Sequence, residues 1–264
     1  MDMHTALLLT TLAGLSTGLG GLVVWMVRAP GPRVMAFSQG FAAGVMMTVS
    51  LSEMLPSAVE AYANAGAVPV GAALRCASLC AAGMLVAWLL EKSLPGEEAL
   101  ARRLSVPSKT RAAALRGALA TMAAIVLHNL PEGMVAGLAA ALALTGEPDA
   151  ISGALALSLG IGLQNIPEGA AVSLPLAHNG RTRSQAFFAG AASGLVEPLG
   201  ALLAFALAEW VSTALPWLLS AAAGCMVCVT AQEMIPQAVE GDEPVGVVSI
   251  VLGFALMMAL DVAL

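Results

Sequence analysis

Apolar residues run almost unbroken for twenty or more positions at a time, separated by short clusters of Gly, Pro and charge. Runs of this length suit membrane helices, because roughly 20 residues at about 1.5 Å each cross a bilayer's hydrocarbon core. The pattern predicts eight spans, at about 5–27, 34–62, 67–91, 114–144, 149–178, 184–212, 214–240 and 245–264. Spans four to seven approach thirty residues, so they are expected to tilt or to project beyond the hydrocarbon. The first carries Asp2 in place of a basic leader and reads as a retained helix, not a cleaved signal peptide. The expected fold is all-α: one polytopic transmembrane domain over residues 1–264.

Composition agrees, with 59% hydrophobic and only 11% charged residues, against roughly 25% charged in a soluble domain. Abundant Gly and Ala suit helices held together by close packing. Orientation follows from the basic residues. Arg28 and Arg33 lie in the first loop, Lys92, Arg102, Arg103, Lys109, Arg111 and Arg116 flank the third, and Arg181 and Arg183 lie in the fifth. Near the even-numbered loops there is only Arg75. Positive charge marks the cytoplasmic side, so both termini are expected outside. The segment at about 92–113 is then a solvated cytoplasmic connector. Nothing resembles a basic nucleic-acid surface, and there is no phosphate-binding Gly-Lys-Ser/Thr loop or H-E-x-x-H protease motif. An enzyme is not expected.

Against this apolar background, two polar clusters fall in the middle of consecutive spans: His128-Asn129-Leu130-Pro131-Glu132-Gly133 and Gln164-Asn165-Ile166-Pro167-Glu168-Gly169. Ionisable and amide side chains at that depth are costly unless something satisfies them, which makes them pathway or binding residues by default. His128 and Glu132 are four apart and share a helix face, as do Gln164 and Glu168. Pro131 and Pro167 cannot donate to the carbonyls of Leu127 and Leu163, so a bend is expected beside each cluster. Glu197, followed by Pro198, has a similar position in span six.

A second repetition links distant spans. Ser52-Glu53-Met54-Leu55-Pro56-Ser57-Ala58-Val59-Glu60 in span two matches Gln232-Glu233-Met234-Ile235-Pro236-Gln237-Ala238-Val239-Glu240 in span seven. Those spans run in opposite directions in the expected topology. The pattern therefore predicts an inverted repeat, helices 1–3 against 6–8 around the central pair 4–5, with the site at the repeat interface.

No Lys or Arg occurs between Arg116 and Arg181, yet Glu132 and Glu168 lie there mid-span, with Glu197 beyond. Carboxylates without an internal basic partner either take up protons or hold cations. Imidazole, carboxylate and amide together suit zinc, iron(II) or manganese better than copper(I), which prefers sulfur, or calcium, which prefers oxygen alone. The residues leave a second reading open, a proton- or sodium-coupled carrier that uses the acids without a metal substrate.

The paired HNLPEG and QNIPEG motifs resemble those of the ZIP (Zrt/Irt-like protein) metal transporters, most nearly the prokaryotic GufA-like branch. The resemblance extends over all eight spans. It implies transport of divalent cations toward the cytoplasm, Zn2+ foremost with Fe2+, Mn2+ and Cd2+ as further cargo, across a bacterial plasma membrane. It also implies a metal position formed by His128, Glu132, Gln164 and Glu168, and a second formed by Asn129, Asn165 and Glu197 with the bridging glutamates. Many members carry His where Gln164 stands, so this chain departs from the pattern there. Glu53 and Glu233 are expected as relays on the outer and inner sides, with Glu60, Glu240 and Asp261 nearer the interfaces. The expected partners are metal ions and the lipid bilayer, with a homodimer as one option for assembly and no nucleic acid.

Other chemically suggestive residues have plainer readings. His4 and His178 lie near span ends and are read as structural. Met46, Met47, Met54 and Met234 are read as packing. Cys76, Cys80, Cys225 and Cys228 fall inside apolar spans and are read as small hydrophobes, not as a thiolate site.

Overall fold

The computed structural model describes residues 2–27, 30–95, 99 and 109–263. Its described residues form eight helices long and apolar enough to cross a membrane: α1 (Met3–Met26), α2 (Pro32–Asn64), α3 (Pro69–Ser93), α4 (Arg111–Ala143), α5 (Pro148–His178), α6 (Arg183–Ala206), α7 (Thr213–Gly241) and α8 (Glu243–Ala263). Of the expected connector at 92–113, residues 96–98 and 100–108 lie outside the described residues.

Local chemistry sets most ends. Pro32, Pro69 and Pro148 begin α2, α3 and α5, where proline's fixed φ is favourable and its missing N–H costs nothing. Gly66, Gly146 and Gly180, all at positive φ, follow the last turns of α2, α4 and α5. After α2 and α5 the chain closes with Ala67 N donating to Tyr62 O and Arg181 N to Leu176 O, the glycine-closed turn that satisfies a helix's last carbonyls. At the start of α6, Thr182 and Gln185 cap each other reciprocally.

Two helices differ from the expected outline. The sixth span was expected to reach residue 212, but it stops at Ala206; Leu207 takes φ −135° and a new helix begins at Ala208. Ala206, Leu207 and Ala208 include no Gly or Pro to mark the reversal, and Glu209 follows only after it; the packing of α6 on α4 and of α7 on α3 accompanies the turn. In α1, Leu22 interrupts the helix before the single turn Val23–Met26.

The matched segments of α2 and α7 share a feature that their composition did not reveal. Val49–Met54 and Thr230–Met234 are π-helical, with Leu55 N donating to Ser50 O and Ile235 N to Thr230 O. Each widened turn lies directly before a proline, Pro56 or Pro236. A proline ring crowds the carbonyl four residues back, and an inserted residue relieves that crowding while keeping the helix continuous. Glu53 and Glu233 sit within these turns.

Besides the contact of α2 with α7, the most extensive helix pairs are α2 with α8, α1 with α5, α6 with α4, and α7 with α3. Each is closed by glycine against backbone. A Cβ on Gly44 would overlap the carbonyl of Ile250, and one on Gly253 that of Phe41; Gly224 and Gly83 meet the carbonyls of Cys80 and Ala221 in the same manner. At the centre, Gly133 lies on the Glu197 carbonyl and Gly200 on that of Leu130, while Gly169 lies on Thr17 and Gly20 on Ile166. With lipid outside, such backbone approach supplies dispersion contact that bulky side chains would prevent.

Candidate metal centre

The one-turn spacing within each polar cluster and the close approach of α4, α5 and α6 bring the expected site residues together. His128, Asn129, Glu132, Gln164, Asn165, Glu168 and Glu197 are all buried, none more than 5% exposed. His128 Nε2 lies 3.1 Å from Glu132 Oε1 on its own helix and 3.7 Å from Glu168 Oε1 across the α4–α5 contact. The Gln164 amide donates to Glu132 Oε1. These four form one continuous group.

A second group adjoins it. Asn165 Nδ2 donates to Glu197 Oε1 at 2.7 Å and to the Ala13 carbonyl of α1 at 2.8 Å. Asn129 Nδ2 reaches the Ser193 carbonyl of α6 at 3.4 Å. Glu197 is placed by the break in α6. Leu195 leaves the helical hydrogen-bond pattern one residue before the helix resumes at Val196, consistent with Pro198 crowding the Gly194 carbonyl. By contrast, Pro131 and Pro167 lie within helices that remain α-helical on both sides.

The donor atoms of this centre outnumber their partners. His128 Nδ1, Asn129 Oδ1, Glu132 Oε2, Gln164 Oε1, Asn165 Oδ1 and both Glu168 oxygens are buried without a hydrogen bond from the protein. Buried polar atoms are ordinarily satisfied, so such a concentration makes this the candidate place for a ligand. Among the described residues, no three His, Cys, Asp or Glu side chains close into a ready-made metal cluster. The ligand set is mixed, with amides set between the carboxylates.

The surroundings are asymmetric. A cavity of about 180 Å³ touches Glu132, Val135, Leu157 and Ile161 and extends to Glu53. Glu53 also borders a second cavity, of about 260 Å³, that reaches Met257 and Asp261 near the end of α8. Toward the start of α4, the space is filled instead by Met46, Leu115, Ile125, Met226 and Met234. Beyond that plug, Glu233 accepts from Gln237 at 3.3 Å, and Gly117 of α4 lies against its carboxylate. Glu60 and Glu240 are exposed at the ends of their helices, and neither borders the two cavities. Sequence reading missed the half-buried pair of Arg116 with Glu91, 2.9 Å apart; its only signal was an acid near the end of α3 and a base near the start of α4.

All four cysteines are free, three of them buried, and Met46, Met54 and Met234 lie in hydrophobic clusters. His4 and His178 are exposed near helix ends.

Eight membrane helices around a buried, incompletely satisfied set of imidazole, carboxylate and amide groups define an integral membrane protein built to handle a cation. A family model described as ZIP zinc transporter matches residues 96–261. The zinc transporter ZupT of Chlorobium luteolum is 37% identical, over 97% of this chain and 96% of its own. ZupT of Streptococcus mutans is 34% identical over 97% of each chain, and that of Stenotrophomonas maltophilia is 35% identical over 90% and 87%. The chain belongs to the ZIP zinc transporter family.

Proposed function

We propose that this protein carries divalent cations, zinc foremost, across a bacterial inner membrane toward the cytoplasm, with iron(II), manganese and cadmium as further cargo. The observation that carries the reading is the set of buried nitrogen and oxygen atoms of α4 and α5 left without hydrogen bonds. A sodium-coupled carrier would have little use for the His128 imidazole, and a proton relay would have little use for the amide oxygens of Asn129, Gln164 and Asn165. A divalent cation uses the imidazole, the carboxylates and the amide oxygens together.

In this reading His128, Glu132, Gln164 and Glu168 hold one ion. Asn129, Asn165 and Glu197 hold a second, with Glu132 and Glu168 bridging. A carboxylate has two oxygens and can bind an ion with each, which keeps two cations close without mutual repulsion dominating. The mixed donor set and the absence of a closed ligand cluster among the described residues suit cargo that must leave as well as arrive.

The route enters past Asp261 and Glu53, whose cavities adjoin, and leaves past Glu233 once the plug of Met46, Ile125 and Met226 repacks. Glu60 and Glu240 act as interfacial attractors at the two ends. The transmembrane domain is a single unit with both termini outside. Helices 1–3 and 6–8 form its inverted repeat, a reading supported by matched π-turns and by pairs α2–α8 and α1–α5 that are mirrored in α7–α3 and α6–α4.

The test is metal uptake by purified protein in liposomes. Glu132→Ala and Glu168→Ala should each lower zinc flux at least about a hundredfold, since each removes a charge that would be shared by two ions; loss of a ligand's supporting contact alone costs 10–100-fold. Normal uptake of zinc, iron(II), manganese and cadmium by both folded variants would refute the binuclear centre.

A further inference from the structure

Apart from the residues of the metal centre, α2, α3 and α7 enclose a groove of about 550 Å³ between Tyr62, Leu74, Arg75, Ser78, Leu79 and Trp217. Among the described residues, Arg75 is the only charged one on its wall. Its side chain is exposed on the outer surface of the bundle, and among the described residues it makes no hydrogen bond or ion pair. Arg75 lies six residues into α3, which starts at Pro69, a depth of about 9 Å along the helix axis. Side chains on a helix lean toward its N-terminus, so the guanidinium rises from there toward the nearby bilayer surface.

Trp217 lines the same groove as Arg75, from α7. It is 59% exposed and lies nine residues into the helix that begins at Ala208. Because α3 and α7 are both odd-numbered spans, their starts face the same side of the membrane. Tryptophan favours the boundary between headgroups and acyl chains. Leu74 is 63% exposed beside it. One wall of the groove is therefore cationic and the rest largely apolar, at the depth where phosphates meet hydrocarbon.

We propose that this groove is a binding site for one anionic phospholipid, its phosphate held by Arg75 and its acyl chain laid along Leu74, Leu79 and Trp217. Charge complementarity selects the headgroup, because no carboxylate lines the groove to oppose it. Guanidinium is the side chain best shaped to take two phosphate oxygens at once. Free inorganic phosphate would find the same cation but gain nothing from the apolar wall. A bound lipid would brace α3 against α7, the pair joined by Gly83 and Gly224.

The experiment is native mass spectrometry of the full chain released from nanodiscs containing equal phosphatidylglycerol and phosphatidylcholine. The wild type should retain phosphatidylglycerol about fivefold over phosphatidylcholine, the factor that one basic residue near an anionic surface supplies. Arg75→Gln should remove that preference, while Arg75→Lys keeps part of it. Trp217→Ala should lower retention of both lipids alike. Zinc uptake by Arg75→Gln in liposomes should persist, which verifies folding independently of lipid selection. An unchanged preference in Arg75→Gln, or unchanged retention in Trp217→Ala, would overturn the site. Displacement of the lipid by millimolar inorganic phosphate would make it a soluble-anion site, and crosslinking between Leu74→Cys copies would make it a protein interface; either result also overturns the proposal.

Discussion

Gln164 sits at the meeting of α4 and α5 with its amide nitrogen committed to Glu132 and its oxygen unpaired. A neutral amide oxygen is a weak ligand for zinc, whereas imidazole nitrogen binds it strongly after losing a proton. Gln164→His should therefore tighten zinc binding. The gain should fade as pH falls from about 7 to 5, because the added imidazole takes up a proton in that range and then pairs with Glu132 instead of the metal. Tighter holding slows release, so half-saturating zinc and maximal uptake rate should fall together. Uptake against concentration at two pH values, with calorimetric binding, measures both. Unchanged affinity and rate in a folded variant would place residue 164 outside the ligand set.

At the scale of the helix, glycine sets how near the site-bearing elements lie. Gly133 follows Glu132 directly and packs on the Glu197 carbonyl of α6, so the contact that joins the two groups of site residues depends on a missing side chain. Gly133→Ala should push α6 away, with a loss of about 1–3 kcal/mol from overpacking and a larger fall in zinc flux than in thermal stability, since the displaced backbone carries Glu197. Gly18→Ala serves as the contrast: it too lies in a membrane helix, yet an added Cβ there meets nothing closer than the Ala191 Cβ at 3.6 Å, an ordinary contact. Thermal unfolding and flux measured on the pair would separate the effects. Equal flux in the two variants would mean that the α4–α6 spacing is irrelevant to transport.

For the whole molecule, the loop charges and the paired packing make one joint prediction. Single cysteines introduced within 92–113 and within 145–149, in a background lacking Cys76, Cys80, Cys225 and Cys228, should label from opposite faces of the membrane, the former from the cytoplasm. Labelling from the same face would remove both the orientation and the inverted repeat, because a repeat related by a twofold axis in the membrane plane requires α2 and α7 to run oppositely.

The eight spans and the identity of the central polar residues were legible in the sequence alone. Lipid forbids unpaired backbone and unsatisfied charge, so long apolar runs mean helices and the few polar residues within them stand out. Equal offsets also made the likeness of Glu53 to Glu233 readable. The reversal at Leu207 was not legible, because no Gly or Pro stands at the turn and the single acid Glu209 did not place it, while the packing of α6 on α4 and of α7 on α3 goes with it. Nor were the π-turns before Pro56 and Pro236, since a proline specifies a lost hydrogen bond but not how the helix accommodates it. The joining of Asn165 to Glu197, the cavities leading from Glu53 to Glu132 and Asp261, and the groove at Arg75 belong to the tertiary structure. Each depends on distances between helices, and those are set by which glycines meet which carbonyls, a pairing that no single helix contains.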